Sequence, residues 1–165
     1  MHSNELIECV RQAVIKYSDN LRRLAFTYVK SVHSAEDIVQ DVFLTYLQKA
    51  PAFESAEYEK AWLLRVTINK SRNMLKTGWF RSRFELIEEA GYLPPEQSQV
   101  LEAVLSLSEK YRLPIHLYYY EGYSIEEIAN ILDTNPATVG TRLARARGLL
   151  RQSLGGFEDE AEQLP

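Results

Sequence analysis

Four arginines, Arg142, Arg145, Arg147 and Arg151, crowd one C-terminal segment in which no acid occurs between positions 137 and 156. Guanidinium groups at this density suit phosphate oxygens and guanine edges. A second acid-free block spans residues 60–83, with Lys60, Arg65, Lys70, Arg72, Lys76, Arg81 and Arg83. Trp62, Trp79 and Phe80 are interleaved there with Asn69 and Asn73. Rings among cations suit single-stranded nucleic acid, because bases stack on aromatics while cations follow the backbone. Trp62 has a second reading, since with Val66 it forms a small apolar patch that can pack on a neighbouring helix. A third set, His33, Asp37 and Asp41, falls at four-residue spacing and has metal-ligand types. Glu36 and Asp37 are equally accounted for by the dipole of a helix start, so no metal site is assigned. His116 has no companion ligand pattern. No nucleophile–base set, phosphate-cradling glycine loop or HExxH motif occurs. These residues predict binding rather than catalysis, with no cofactor.

The arginine segment is positioned by two short helices with explicit start signals. Ser124 with Glu127 forms a capping box, and Ile125, Ile128, Ala129 and Leu132 give the helix that follows an apolar stripe. The run Asp133-Thr134-Asn135 supplies the turn. Asn135 caps a second helix in which Pro136 takes the first turn, where its missing N–H costs nothing. Val139, Leu143, Ala146 and Leu150 line the inner side of that helix. At about 100° per residue its outermost line is Ala137, Thr141, Ala144 and Gly148. A merely solvated face usually carries paired Glu and Lys, whereas small residues flanked by arginine admit a close approach to a groove. The pair reads as a helix-turn-helix.

The remaining chain has helical periodicity throughout. Leu6, Val10, Ala13, Val14 and Tyr17, then Leu21, Leu24, Ala25, Tyr28 and Val29, predict two helices split near Ser18-Asp19-Asn20. Ser34 with Asp37 predicts a further start, and Ile38, Val39, Val42, Phe43, Tyr46 and Leu47 point inward before Ala50-Pro51 ends that helix. Residues 53–58 form a loop and a helix start. Residues 61–76 form a helix with a main stripe of Ala61, Leu64, Ile68 and Leu75. Residues 79–99, with Gly91 and Pro94-Pro95, read as a linker holding at most a short helix. A helix resumes at Val100, and another runs from Ser108 to Glu121 with a late start or kink near Leu113, because Pro114 removes a backbone donor. Gly122 stops it. No strand-like alternation persists, so the predicted fold is all-α, with two small helical domains at 1–77 and 100–156, a linker at 78–99 and an acidic tail at 157–165.

Composition sets the outer bounds. The chain has 165 residues, ordinary globular composition and a net charge of −4. Charge distribution matters more than its total, because phosphate contacts need a local footprint. Residues 84–136 carry ten acids and two bases, and so separate the two basic blocks. The single cysteine, Cys9, excludes an internal disulfide and is expected to be a core thiol. No signal peptide or membrane-spanning run is visible, which predicts a cytoplasmic protein.

Four motifs in order carry a family resemblance: Ala35-Glu36-Asp37-Ile38-Val39-Gln40-Asp41-Val42-Phe43-Leu44; Ala61-Trp62-Leu63 with Asn69; Leu107-Ser108-Glu109-Lys110-Tyr111-Arg112; and the terminal helix-turn-helix. Over residues 21–151 the chain resembles bacterial RNA polymerase sigma factors of the extracytoplasmic-function group. The resemblance implies sigma region two and region four joined by a linker, acting as a promoter-specificity subunit. It implies that Asp37, Gln40, Asp41 and Phe43 bind core RNA polymerase. It implies that Phe53 and Ser55, with Arg65, Asn69, Lys70, Asn73 and Lys76, melt and hold the non-template strand of the −10 element. Thr138, Thr141, Arg142, Arg145 and Arg147 would contact the −35 element. Members are usually restrained by an anti-sigma factor, so such a partner is expected, as are promoter DNA and polymerase. Three positions depart from the family pattern: Gly140 where Lys or Arg is common, Asn73 where Asp is frequent, and Ser108 where Pro is frequent. Two other classes fit fewer residues. A free-standing helix-turn-helix regulator leaves the N-terminal basic helix without a task, and a metal-dependent hydrolase would rest on His33, Asp37 and Asp41 alone.

Overall fold

The computed structural model describes residues 2–76 and 95–154, with side chains in the second stretch from Gln99 onward. The chain divides into two compact units, Met1–Glu85 and Leu86–Pro165. Every regular element among the described residues is helical. None of these helices is long and apolar enough to cross a membrane.

The first unit is three helices, α1 (Ser3–Val29), α2 (Val32–Lys49) and α3 (Ala56–Lys76). The split expected near Ser18-Asp19-Asn20 does not occur, and α1 runs unbroken. Its buried residues Val10, Ala13, Tyr17, Leu21, Leu24 and Tyr28 keep one stripe through the region. The turn-forming side chains are satisfied within the helix: Ser18 Oγ donates to the Val14 carbonyl at 2.5 Å, and Asp19 accepts from Arg22 at 2.9 Å. Tertiary burial outweighs local turn propensity here. Cys9 is half-buried at the edge of this stripe rather than in the core.

Helix α1 ends at Lys30 in the left-handed region, with φ 55°, and its N–H donates to the Phe26 carbonyl at 2.9 Å. The next helix starts earlier than Ser34. Ser31 is its cap and accepts from the Ser34 N–H at 3.2 Å, while Ser34 itself is buried. Ala35, Ile38, Val39, Val42, Phe43 and Tyr46 face inward as expected, but Leu47 is exposed. Ala50, with φ 44°, closes α2. On α3 the buried stripe is Leu63, Leu64, Thr67, Ile68 and Ser71, displaced from the expected one, and Ala61 and Leu75 are only half-buried. Two hydroxyls can sit in this core because each bonds its own helix: Thr67 to the Leu63 carbonyl at 2.8 Å and Ser71 to the Thr67 carbonyl at 2.7 Å. Leu21, Leu24, Val42, Leu63 and Leu64 are all but fully buried, each contributing about 1.5–3 kcal/mol of apolar transfer.

The second unit holds α4 (Pro95–Ser106), α5 (Glu109–Ile115), a π-helical turn (His116–Tyr120), α6 (Ile125–Ile131) and α7 (Pro136–Leu154). Helix α4 begins inside the stretch read as linker, because Pro95 suits a first helical position. Residues 77–94 and 155–165, including Trp79, Phe80, Arg81, Arg83 and the acidic tail, lie outside the described residues. Helix α5 starts directly after Ser108 and carries Pro114 without stopping. Immediately downstream, at His116–Tyr120, the helix widens and Glu121 N–H reaches the His116 carbonyl at 3.1 Å. Gly122, with φ 75°, then turns the chain. Arg112 is buried, and its guanidinium donates to the Leu107 carbonyl at 2.8 Å, satisfying an acceptor just past the end of α4. His116 and Glu121 pair in the interior at 3.1 Å.

Candidate nucleic-acid interface

The helix-turn-helix forms with the caps its residues specify. Ser124 Oγ accepts from Glu127 N–H and Glu127 Oε1 accepts from Ser124 N–H, both at 3.1 Å. Asp133 takes the left-handed turn position, with φ 54°, and Thr134 N–H closes onto the Ala129 carbonyl at 2.9 Å. Asn135 Oδ1 then accepts from Thr138 N–H at 2.8 Å and from its hydroxyl at 3.0 Å. Within α6 the buried residues are Ile128, Ala129 and Ile131, with Ile125 and Leu132 half-buried, so the stripe is rotated slightly from the expected one. Val139, Leu143, Ala146, Leu150 and Leu154 seat α7.

The outward line of α7 is the one its periodicity specifies: Ala137, Thr141, Ala144 and Gly148 are all exposed. Arg145 and Arg151 are exposed beside it, while Arg142 and Thr138 are half-buried. Arg147 departs from the expected role. Its guanidinium bonds the Tyr119 hydroxyl and lies 5.4 Å from the Tyr119 ring centre and 5.9 Å from that of Tyr118. Those two rings pack edge-on at 4.9 Å. Arg147 therefore ties the π-helical turn to α7 by cation–π contact and is not a side chain held open for DNA. A Cβ placed on Gly140 would meet nothing within 4 Å, so that position is an open gap on the helix.

The basic helix α3 presents Arg65, Asn69, Asn73 and Lys76, all exposed, along one side. Lys70 stands about 140° round from Arg65. It turns to the neighbouring helix, where Nζ donates to Asp41 Oδ2 at 2.7 Å. Ser55 is exposed and caps α3, its Oγ accepting from Tyr58 N–H at 3.3 Å. Phe53 is half-buried and belongs to a three-ring cluster with Tyr46 and Trp62, every pair of ring centres 5.7 Å apart. Of the two readings open for Trp62, the packed one holds. Tyr46 is buried, and its hydroxyl donates to Glu59 Oε2 at 2.6 Å. Burial first, then the Glu59 hydrogen bond and charge, push the Tyr46 hydroxyl well above the usual tyrosine range.

On α2, Asp37, Gln40 and Asp41 are exposed on one side. Phe43 is not part of that surface: it is 7% exposed and belongs to the core, because it falls on the Val39–Val42–Tyr46 side of the helix. Two leucines missed by the sequence reading share the acidic side, Leu44 at 54% and Leu47 at 38% exposure. The signal was available, since they follow Gln40 by four and seven positions. His33 lies 3.6 Å from Asp37, but Asp41 is turned to Lys70, so the three do not converge. No metal-holding cluster occurs among the described residues.

Comparison with known proteins covers both units. Residues 13–81 match the model of Sigma-70 region 2, and residues 97–150 match that of Sigma-70, region 4. The ECF RNA polymerase sigma factor SigW of Bacillus subtilis is 27% identical over 158 residues, covering 84% of this chain and 84% of its own length. The RNA polymerase sigma factor SigV of the same organism is 29% identical over 154 residues, covering 90% of each. Among solved structures, the sigma factor RpoE of Bartonella quintana, in complex with the anti-sigma factor NepR, superposes with a TM-score of 0.69 at 25% identity. That alignment covers 88% of this chain and 96% of the other.

Proposed function

Since this chain belongs to the sigma-70 family, in its extracytoplasmic-function group, and directs RNA polymerase to specific promoters, we propose how its surfaces divide that task. The Asp37–Gln40–Asp41 side of α2 takes polymerase. The Arg65–Asn69–Asn73–Lys76 side of α3, with Lys70 at its margin and the loop bearing Phe53 and Ser55 at its end, takes the non-template strand of the −10 element. Helix α7 lies in the major groove of the −35 element, with Thr138, Thr141, Arg142 and Arg145 toward DNA. The protein supplies a start site and carries out no reaction of its own, and it works in the cytoplasm, where promoter DNA is found. An anti-sigma factor is its expected restraint, as in the solved complex of the Bartonella relative.

The observation that carries this division is the line Ala137, Thr141, Ala144 and Gly148, exposed and flanked by Arg142 and Arg145 on a helix whose other side is fully buried. Small residues let the helix axis approach base edges, and flanking cations hold the phosphates. The test is transcription from the host's own promoters by core RNA polymerase supplemented with this protein. Specific initiation and co-migration with core are expected; the absence of both would overturn the assignment.

A further inference from the structure

We propose that Tyr46, Trp62 and Glu59 are positioning residues that hold the loop at residues 51–55 in the shape needed to receive a −10 base. The inference rests on the reading that this loop serves the −10 strand.

The loop joins Ala50, the left-handed end of α2, to Ser55, the cap of α3. Ala52, Glu54 and Ser55 are exposed, so Phe53 is its large inward anchor. Phe53 meets Tyr46 edge-on at 5.7 Å and 75°, and Trp62 tilted at 5.7 Å and 59°. Tyr46 and Trp62 close the triangle edge-on at 77°. Edge-to-face contacts set angle as well as distance, because the positive ring edge seeks the negative face. One ring of this clamp comes from α2, one from α3 and one from the loop between them.

Glu59 fixes the clamp's orientation. It lies near the start of α3 and receives the Tyr46 hydroxyl at 2.6 Å. Without that bond the Tyr46 ring keeps its burial but loses the tie that sets its angle. A pocket for an extruded base must be held to within about half an ångström. Tyr46, Trp62 and Glu59 need touch no DNA to matter, since they act through Phe53.

The test uses the full chain bound to core polymerase. Affinity is measured for a single-stranded oligonucleotide carrying the non-template −10 region of a promoter the holoenzyme transcribes. The same strand is then made abasic at one position at a time. The native protein should show at least one position where base removal costs roughly tenfold or more. Tyr46→Phe and Trp62→Ala should cut that discrimination to about threefold or less, with core binding and −35 duplex binding unchanged. Glu59→Gln keeps an acceptor for the Tyr46 hydroxyl and should retain discrimination. Should Trp62→Ala fail to fold, Tyr46→Phe carries the test, because it removes one hydroxyl and keeps the ring. Full discrimination in Tyr46→Phe and in folded Trp62→Ala would overturn the positioning role, as would a loss equal at every base and in core binding. If no abasic position matters even in the native protein, the base-receiving role of the loop fails and the proposal falls with it.

Discussion

Lys70 Nζ donates to Asp41 Oδ2 at 2.7 Å, so an ion pair joins the helix assigned to polymerase to the helix assigned to the −10 strand. Asp41 is 60% exposed and Lys70 25%, which places the pair at the surface, where such bridges contribute about 0–1 kcal/mol. A partner cation that takes Asp41 therefore releases Lys70 at small cost. The pair links α2 to α3 at the surface and contributes little to holding the fold together.

Asp41→Asn tests that link. Unfolding free energy should change by less than about 1 kcal/mol, while core binding weakens by about tenfold or more. Asp41→Arg is a poorer probe, because the new cation would face Lys70. Asp37→Arg avoids this, as its neighbour within reach is the exposed His33 at 3.6 Å. Core binding measured by fluorescence anisotropy, beside urea denaturation, checks both; unchanged binding in Asp37→Arg would remove the docking assignment.

Arg142 and Arg147 should behave differently although they sit five positions apart on one basic helix. Arg142→Ala should cost about 1–3 kcal/mol of promoter binding and relax preference at a single −35 position. Arg147→Ala should instead lower the melting temperature by several degrees, since it removes the contacts to Tyr118 and Tyr119. Its promoter preference should stay as in the native protein. Binding to single-base −35 variants and thermal denaturation together decide the matter, and a preference change in Arg147→Ala would return that residue to the DNA contact set.

Gly140 leaves room for a side chain, since an added Cβ meets nothing within 4 Å. Gly140→Ala should stabilise α7 by about 1 kcal/mol through helix propensity alone. Gly140→Lys should add a cation near the phosphates, tightening −35 duplex binding and steepening its salt dependence by about one unit of slope. Calorimetry of the first variant and a salt titration of the second read these effects separately.

Tyr46 predicts alkaline behaviour. Its folded-state proton is held more tightly than in the unfolded chain, through burial and Glu59. The folded form thus binds more protons above the unfolded value of about 10, and stability falls as pH rises beyond it. Below that pH the contribution is fully present. Tyr46→Phe should flatten the decline between about pH 10 and 11, read by circular dichroism melts; an unchanged slope would place the alkaline loss elsewhere.

The C-terminal motif was legible because its signals are local. A capping box, an asparagine cap followed by proline and a four-member apolar stripe act within a few residues of one another. The first unit was less legible for the opposite reason. Ser18-Asp19-Asn20 reads as a turn, yet α1 continues because the stripe through Tyr17 and Leu21 is buried against α2 and α3. The true cap Ser31 was hidden behind Ser34, which has the right type at the wrong place.

By itself the sequence determined the helical class, the helix-turn-helix, the two acid-free blocks and the order of motifs that marks a promoter-specificity subunit. These follow from periodicity, capping chemistry and charge, all written in neighbouring residues. Only the tertiary structure decided which side chains remain open to a partner. Phe43 turned inward with its core neighbours, Lys70 turned to Asp41, Arg147 to Tyr119, and Phe53 to Tyr46 and Trp62. The partners of Lys70, Arg147 and Phe53 stand on other elements, between seven and 29 positions away in the chain. Such pairings depend on how helices cross, which no local spacing encodes.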